Sequence, residues 1–535
     1  MKNIFLNGTI YILNRQIPCV DALAVEDGKI VFAGVSRDAK KLKQRGDRVF
    51  DLKNHTVIPG LVDSHVHFVY WAETRSRLDL ENARSTAEVQ KKVAAFAKRL
   101  AEGEWLFGNN FNKNLWPAGE QPDKRILDTV CPDRPVILAS KDVHTLWLNS
   151  AALAAVGITS STSDPPGGKI VRYSGSQEPT GYLLETACRL VNEYLEKNQK
   201  KLDMEKVVLA AQKEAWKQGV TGIHALPDPG FEKSFPLLER LTREEKLQLR
   251  ILMYIPEKRL DWAIELGLQS GFGNEFFKVG GVKIFVDGAL GSQTALMFEP
   301  YEGNSSTGIE VSSLSHLENQ LGKAAKANLA CAVHAIGDKS VFYALEAFGK
   351  TLPIHDGRLR QRIEHVQLIR NEEIPKFKKY KVAASMQPSH APSDRYIADQ
   401  HWGRRCRNAY PWRSLLKSGA LLVFGSDAPV EPLQPLAGIY SAVCRKKPGE
   451  KESWYPSQAI SVGEAIRAYT VAPAVLSCDE HKIGTLSPGK LADFVILSED
   501  PFKISPERLS SLEVLATAVG GEIVYAQKAT SWGCD

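Results

Sequence analysis

Several features are missing from this 535-residue chain, and each absence narrows the reading. Eight cysteines are scattered at Cys19, Cys131, Cys188, Cys331, Cys406, Cys444, Cys478 and Cys534, and none forms a Cys-x-x-Cys pair. That pattern suits free thiols in a reducing compartment better than a disulfide framework. No apolar run of about 18 residues occurs, so no membrane span is expected. The opening MKNIFLNGTIYILN lacks the long apolar segment and small-residue cleavage site of a secretory signal, and a cytoplasmic location is expected. A strong charge of one sign is lacking too. The net charge of +6 is diluted over the whole chain. Short basic clusters such as RRCR and CRKK therefore read as solvated faces, and a nucleic-acid partner is not expected.

What is present is an ordinary globular composition, 43% hydrophobic and 24% charged, in a chain long enough to bury a large core. The first 58 residues read as short strands broken by Asn-Gly and Asp-Gly, with Asp27-Gly28 a strong hairpin signal. Residues 485–535 read alike, with Gly520-Gly521 as a turn. The two ends are expected to form halves of one small β-sandwich.

Between them, residues 59–484 alternate strands with helical patterns. Eight candidate strands stand out: LVDSHVHF, VTGIHAL, LRILMYI, GGVKIFVD, LACAVHAI, QRIEHVQ, VAASMQPS and ALLVFGSD. Eight strand–helix units point to a (β/α)8 TIM barrel, an α/β fold. Residues 70–204 are too long for a connection and are read as a subdomain inserted after the first strand.

The chemistry begins at His65 and His67. Residues i and i+2 of a strand share a face, so two imidazoles stand side by side with Asp63. Neutral imidazole is a common metal ligand. Active sites of such barrels lie at the C-terminal ends of the strands. The fourth strand carries Lys283, the fifth ends with His334, the sixth with His365, and Asp427 follows the eighth. Four histidines, a lysine and an aspartate on one rim make a metal site the expected reading. A protonated Lys283 in so apolar a strand needs a partner. Either it pairs with Asp287 or Asp427, or its amine has taken up carbon dioxide to form a carbamate that can bridge two cations. Cys331, out of phase with His334, is not expected to be a ligand.

These motifs resemble the amidohydrolase superfamily and, within it, amidohydrolase family 3, the group that includes N-substituted formamide deformylase. The matching stretches are PGLVDSHVHF, DVHTLWLNSAAL, PTGYLLE, VKIFVDGALGSQTA, VHAIGD, RIEHVQ, SMQPSH, AYPWRSLLKSGA, FGSDAPV and GTLSPGKLADFVIL, spread over essentially the whole chain. The resemblance implies a hydrolase of a carbon–nitrogen bond in a non-peptide amide, N-substituted formamide or cyclic amide, attacked by a metal-activated hydroxide. It implies that His65, His67 and Asp427 hold the more buried of two divalent ions, that His334 and His365 hold the second, and that carboxylated Lys283 bridges them. Zinc is the expected metal, with iron or manganese as alternatives. Asp427 is expected to move the proton from nucleophile to leaving nitrogen.

Candidates for binding the small-molecule substrate are His144 and Trp147 in the insertion, His224 near the end of the second strand, Gln387 and His390 after the seventh, and Trp412. Core packing is the competing reading for Trp147 and Trp412. The insertion is expected to cap the barrel mouth and exclude water. A homodimer is compatible with the sequence, but no segment demonstrates one. The alternatives are a one-metal deaminase, which has no need of Lys283 as a bridge, and a non-catalytic regulatory protein on the same scaffold.

Overall fold

The computed structural model describes residues 1–527 apart from 15–18, 141–144, 199–202, 229 and 356. At its centre is an eight-stranded sheet with every neighbour parallel: β1 (Leu61–Val66), β2 (Val220–Ala225), β3 (Arg250–Pro256), β4 (Phe277–Phe285), β5 (Ala330–Ala335), β6 (Gln361–His365), β7 (Val382–Met386) and β8 (Leu421–Phe424). The sheet closes on itself where Asp427 N–H donates to the His65 carbonyl at 2.7 Å and His67 N–H donates to the Ala428 carbonyl at 2.9 Å. This is the TIM barrel expected from the sequence, strand for strand. Its strands are near-continuous apolar runs because both faces of a parallel sheet are covered. All residues of β1, β2, β6 and β7 are buried.

The covering helices follow from their periodicity. Between β4 and β5, helix Leu314–Lys326 buries Leu317, Leu321, Ala324 and Ala325, a single stripe at helical spacing. The Ser313 side chain accepts from His316 N–H to cap its start. Asn328, at φ 56°, turns the chain out of the helix, and Leu329 N–H bonds back to Ala324.

Both chain ends meet in two further sheets. One has the order Lys29–Gly34, Ala22–Glu26, Lys2–Leu6, Arg48–Asp51. The other has the order Glu522–Ala526, Val514–Val519, Phe494–Leu497, Thr56–Pro59, Thr9–Tyr11, Cys19–Val20. Phe5, Leu23, Val25 and Ile30 pack with Val57, Phe494, Ile496 and Ala516 in one core, so the sheets form a sandwich built from both termini. Its hairpins turn on Asp27-Gly28 (φ 50° and 76°) and Gly520-Gly521 (φ 56° and 78°), the two left-handed positions of a type I′ turn.

The chain divides into two compact units, Met1–Trp71 with Leu209–Asp535, and Ala72–Val208. The second holds a six-stranded sheet ordered Gly168–Arg172, Pro179–Glu185, Thr145–Leu148, Val136–Ser140, Leu106–Phe111, Leu78–Asp79, with an apolar cluster on each face. Among the described residues no helix is long and apolar enough to cross a membrane, and no disulfide joins the described cysteines.

Candidate metal centre

The C-terminal ends of the barrel strands bring His65, His67, Lys283, His334, His365 and Asp427 into one cluster. Ligand atoms of His65, His365 and Asp427 all lie within 4.8 Å of one another. The ring of His65 is 5.8 Å from that of His67 and 4.9 Å from that of His365, and the His334 and His365 rings are 4.6 Å apart.

Backbone geometry at two strand ends makes this convergence possible. His365 (φ 75°) and Asp427 (φ 61°) both adopt the left-handed conformation, which non-glycine residues rarely take. His365 closes β6, and Asp427 lies three residues beyond β8. Gly425 lies where any β-carbon would collide with the His65 backbone nitrogen, so β8 can approach β1 here only with glycine.

Each of the four imidazoles is tied down through one nitrogen. His65 Nδ1 donates to Glu364 Oε2 at 2.6 Å, His67 Nδ1 to the Pro227 carbonyl at 3.1 Å, His334 Nε2 to the Gly288 carbonyl at 2.9 Å, and His365 Nδ1 to Gln387 Oε1 at 2.8 Å. All four partners are acceptors, so the bonded nitrogen carries a proton and the other ring nitrogen is left to face the cluster. This is how metal-binding histidines are held in proteins. The free Nε2 atoms of His65 and His67 lie 3.2 and 3.5 Å from Asp427 Oδ1. His65 Nε2 is within hydrogen-bond distance of that carboxylate oxygen, and a cation held between the two would take the place of the shared proton.

Titration behaviour reflects the same crowding. Burial pushes His67 down to about 4 and His334 to about 3, and holds His365 well below the usual imidazole range. All three are thereby kept neutral, the form that binds metal. Burial pulls His65 down too, but Glu364 and Asp427 together raise it above its ordinary value. Burial opposes ionisation of Asp427, yet His65, His365 and His67 hold it well below the usual carboxylate range.

Lys283 stands apart. Its Nζ is buried without a hydrogen-bond partner, 5.0 Å from the centre of the Phe285 ring. Burial lowers the amine to about 8, against the pull of Glu364 and Asp427. The alternative in which Lys283 pairs with Asp287 does not occur. The Asp287 carboxylate accepts instead from Leu296 N–H at 2.9 Å, Ile336 N–H at 3.1 Å, Gly337 N–H at 2.9 Å and Ser340 Oγ at 2.7 Å. Nor does Lys283 make an ion pair with Asp427, whose oxygens face the histidines. An unpartnered amine that is partly neutral near physiological pH, beside a set of nitrogen and oxygen donors, fits a bridging carbamate and a pair of divalent ions.

The substrate candidates scatter. His390 Nε2 is buried without a hydrogen-bond partner, 3.9 Å from Asp427 Oδ2, so this residue does face the cluster. Gln387 instead orients His365. His224, expected at the rim, turns into the barrel interior, where its Nδ1 lies 3.1 Å from Arg362 Nη1. Trp412 is fully buried between Tyr410 and Phe424. Trp147 is fully buried in its own unit against Phe111 and Trp116. These two tryptophans pack in cores because a large apolar ring satisfies a core as well as a pocket. His144 lies outside the described residues. Cys331, three residues before His334, is not among the grouped ligands.

Sequence reasoning missed Glu364 and Arg362. Their strand, Gln361–His365, has one apolar residue, so the apolar surroundings that singled out Lys283 gave no signal there.

Comparison with known proteins agrees with this geometry. The profile described as "Amidohydrolase family" matches residues 48–525. YtcJ of Bacillus subtilis (strain 168) is 35% identical over 98% of this chain and 99% of its own. The N-substituted formamide deformylase of Arthrobacter pascens is 25% identical over 97% of both. A solved structure, an uncharacterized metal-dependent hydrolase from Pyrococcus horikoshii OT3, superposes with TM-score 0.77 at 29% identity, covering 95% of this chain and 99% of that one. The chain belongs to the amidohydrolase family and is a metal-dependent hydrolase.

Proposed function

We propose that the protein hydrolyses a carbon–nitrogen bond in a non-peptide amide, an N-substituted formamide or a cyclic amide, using two divalent ions, zinc above all. The observation that carries the reading is the set of four imidazoles, each tied through one nitrogen and presenting the other beside Asp427 and the unpartnered Lys283 amine. His65, His67 and Asp427 would hold one ion, and His334 and His365 the other. The neutral Lys283 amine would add to carbon dioxide, forming a nitrogen–carbon bond and releasing a proton, and the carbamate oxygens would reach both ions. Bound there, the ions would supply a water nucleophile at neutral pH and polarise the substrate carbonyl.

Asp427 then has a defined task. Its carboxylate lies beside the ligand histidines and would take the proton of the attacking water and pass it to the leaving nitrogen. The products are a carboxylic acid and an amine. Phe285 sits in register with His334, its ring 5.0 Å from the imidazole and 44% exposed. An exposed aromatic ring beside the ligands supports an apolar group on the substrate.

The test is metal analysis of protein purified with bicarbonate, followed by assay of N-formyl and N-acyl amines. About two ions per chain with amide hydrolysis supports the reading. One ion with release of ammonia from an aminated ring would make it a deaminase instead. No metal uptake would favour a non-catalytic role.

A further inference from the structure

The interior of a TIM barrel is filled mostly by branched apolar side chains. Here β6 places Arg362 and Glu364, two residues apart and so on one face, inside it with no exposure at all. We propose that Glu364 and Arg362, backed by His224, are positioning residues that set how strongly His65 binds a metal ion; the inference rests on the metal-centre reading above.

The contacts run in one line. Glu364 Oε2 accepts from His65 Nδ1 at 2.6 Å, and Glu364 Oε1 lies 2.5 Å from Arg362 Nε. Arg362 Nη1 donates to the Ser64 carbonyl at 2.9 Å and meets His224 Nδ1 at 3.1 Å. The guanidinium also lies 4.3 Å from the centre of the Tyr254 ring. Arg362 therefore grips His65 twice, through the peptide just before it and through the carboxylate on its ring. Arginine has only donors, so His224 must present an unprotonated Nδ1 and stay neutral. His224 thus engages Nη1 of the guanidinium while Glu364 faces Nε.

Stability alone does not account for this arrangement. A fully buried ion pair is commonly replaceable by apolar side chains at no loss, because desolvation offsets the attraction. What apolar residues could not supply is a carboxylate on the far nitrogen of a ligand histidine. It fixes the tautomer, points the Nε2 lone pair at the cluster and makes the ring a stronger donor. None of the three offers the cluster a ligand atom; their direct contact with it is the hydrogen bond of Glu364 to His65, and the Glu364 charge also acts on the Lys283 amine.

The experiment is zinc titration of the metal-free full chain against a chromophoric chelator, with the thermal midpoint of each metal-free variant measured alongside. Loss of the partner of a ligand histidine weakens metal binding by about 10- to 100-fold. That loss is expected for E364A, and a smaller one for E364Q, whose amide oxygen still accepts from His65 but carries no charge. H224Q keeps an acceptor for Arg362 and should bind zinc as the parent does, whereas H224L should shift in the same direction as E364Q. A merely structural role would lower the midpoint and leave the affinity of the folded variant alone. If E364A does not fold, E364Q decides. A folded E364Q with unchanged zinc affinity overturns the proposal. A parent protein that takes up no zinc removes the metal-centre reading, and the relay with it.

Discussion

Glu364 and His365 are consecutive in the chain, yet both side chains serve the same cluster. Glu364 Oε2 lies 2.6 Å from His65 Nδ1, while the His365 ring centre is 4.9 Å from that of His65. In a regular strand neighbours point to opposite faces. The left-handed φ of 75° at His365 breaks that alternation and lets one strand end supply both a ligand and the residue that orients another ligand.

Asp427→Asn should leave the fold in place, weaken the hold on the ion shared with His65 and His67, and cut turnover by at least about 10²- to 10⁴-fold, the usual contribution of a positioned base. Steady-state kinetics beside metal analysis checks this. Turnover near that of the parent would remove Asp427 from proton transfer. Lys283→Ala should abolish hydrolysis together with part of the metal content, since the bridge is lost.

The amine of Lys283 should make reconstitution pH-dependent. Only the neutral amine adds to carbon dioxide, and burial brings its pKa down from 10.5 to about 8. At fixed dissolved carbon dioxide, reactivation of metal-free protein should rise with pH and level off above about 8, the folded-state value. The sign for stability follows. Between about 8 and 10.5 the unfolded chain binds this proton and the folded metal-free chain does not, so the group's contribution to stability increases with pH across that window. A reactivation rate that is flat with pH would contradict an unpartnered, buried amine.

Gly425→Ala should damage the centre without touching a ligand. The added carbon would collide with the His65 backbone and sit 2.8 Å from Asp63 Oδ1. Overpacking of this kind costs about 1–3 kcal/mol. A lower thermal midpoint together with reduced metal content is expected. Full metal content would show that β8 can shift away from β1 without disturbing His65.

Cys331→Ala should leave metal content unchanged. The thiol is buried on β5, and the odd spacing to His334 sets the two side chains on opposite faces. Loss of an ion in this variant, read by elemental analysis, would make the thiol a ligand.

Much of the fold was legible before the structure. All eight barrel strands appear where apolar runs are punctuated by turn residues, and Asp27-Gly28 and Gly520-Gly521 turn the expected hairpins. The clustered histidines, Lys283 and Asp427 were legible because titratable side chains at the ends of apolar strands have few other uses. The surroundings were less so. Trp147 and Trp412 look the same in sequence whether they line a pocket or fill a core, and they fill cores. Gln387 after β7 read as a substrate contact, and its distance to His365 makes it an orienting residue.

The sequence by itself determined the architecture and the residues that meet at the barrel mouth, because periodicity and strand-end position are local properties of the chain. Only the tertiary structure decided which nitrogen of each imidazole is free, that Lys283 has no partner, and that Glu364, Arg362 and His224 stand behind His65. Those relations join residues far apart in the chain, such as the 299 positions between His65 and Glu364, and depend on side-chain directions set by two left-handed residues. No spacing rule along the chain encodes them, since they arise only when eight strands close into a ring.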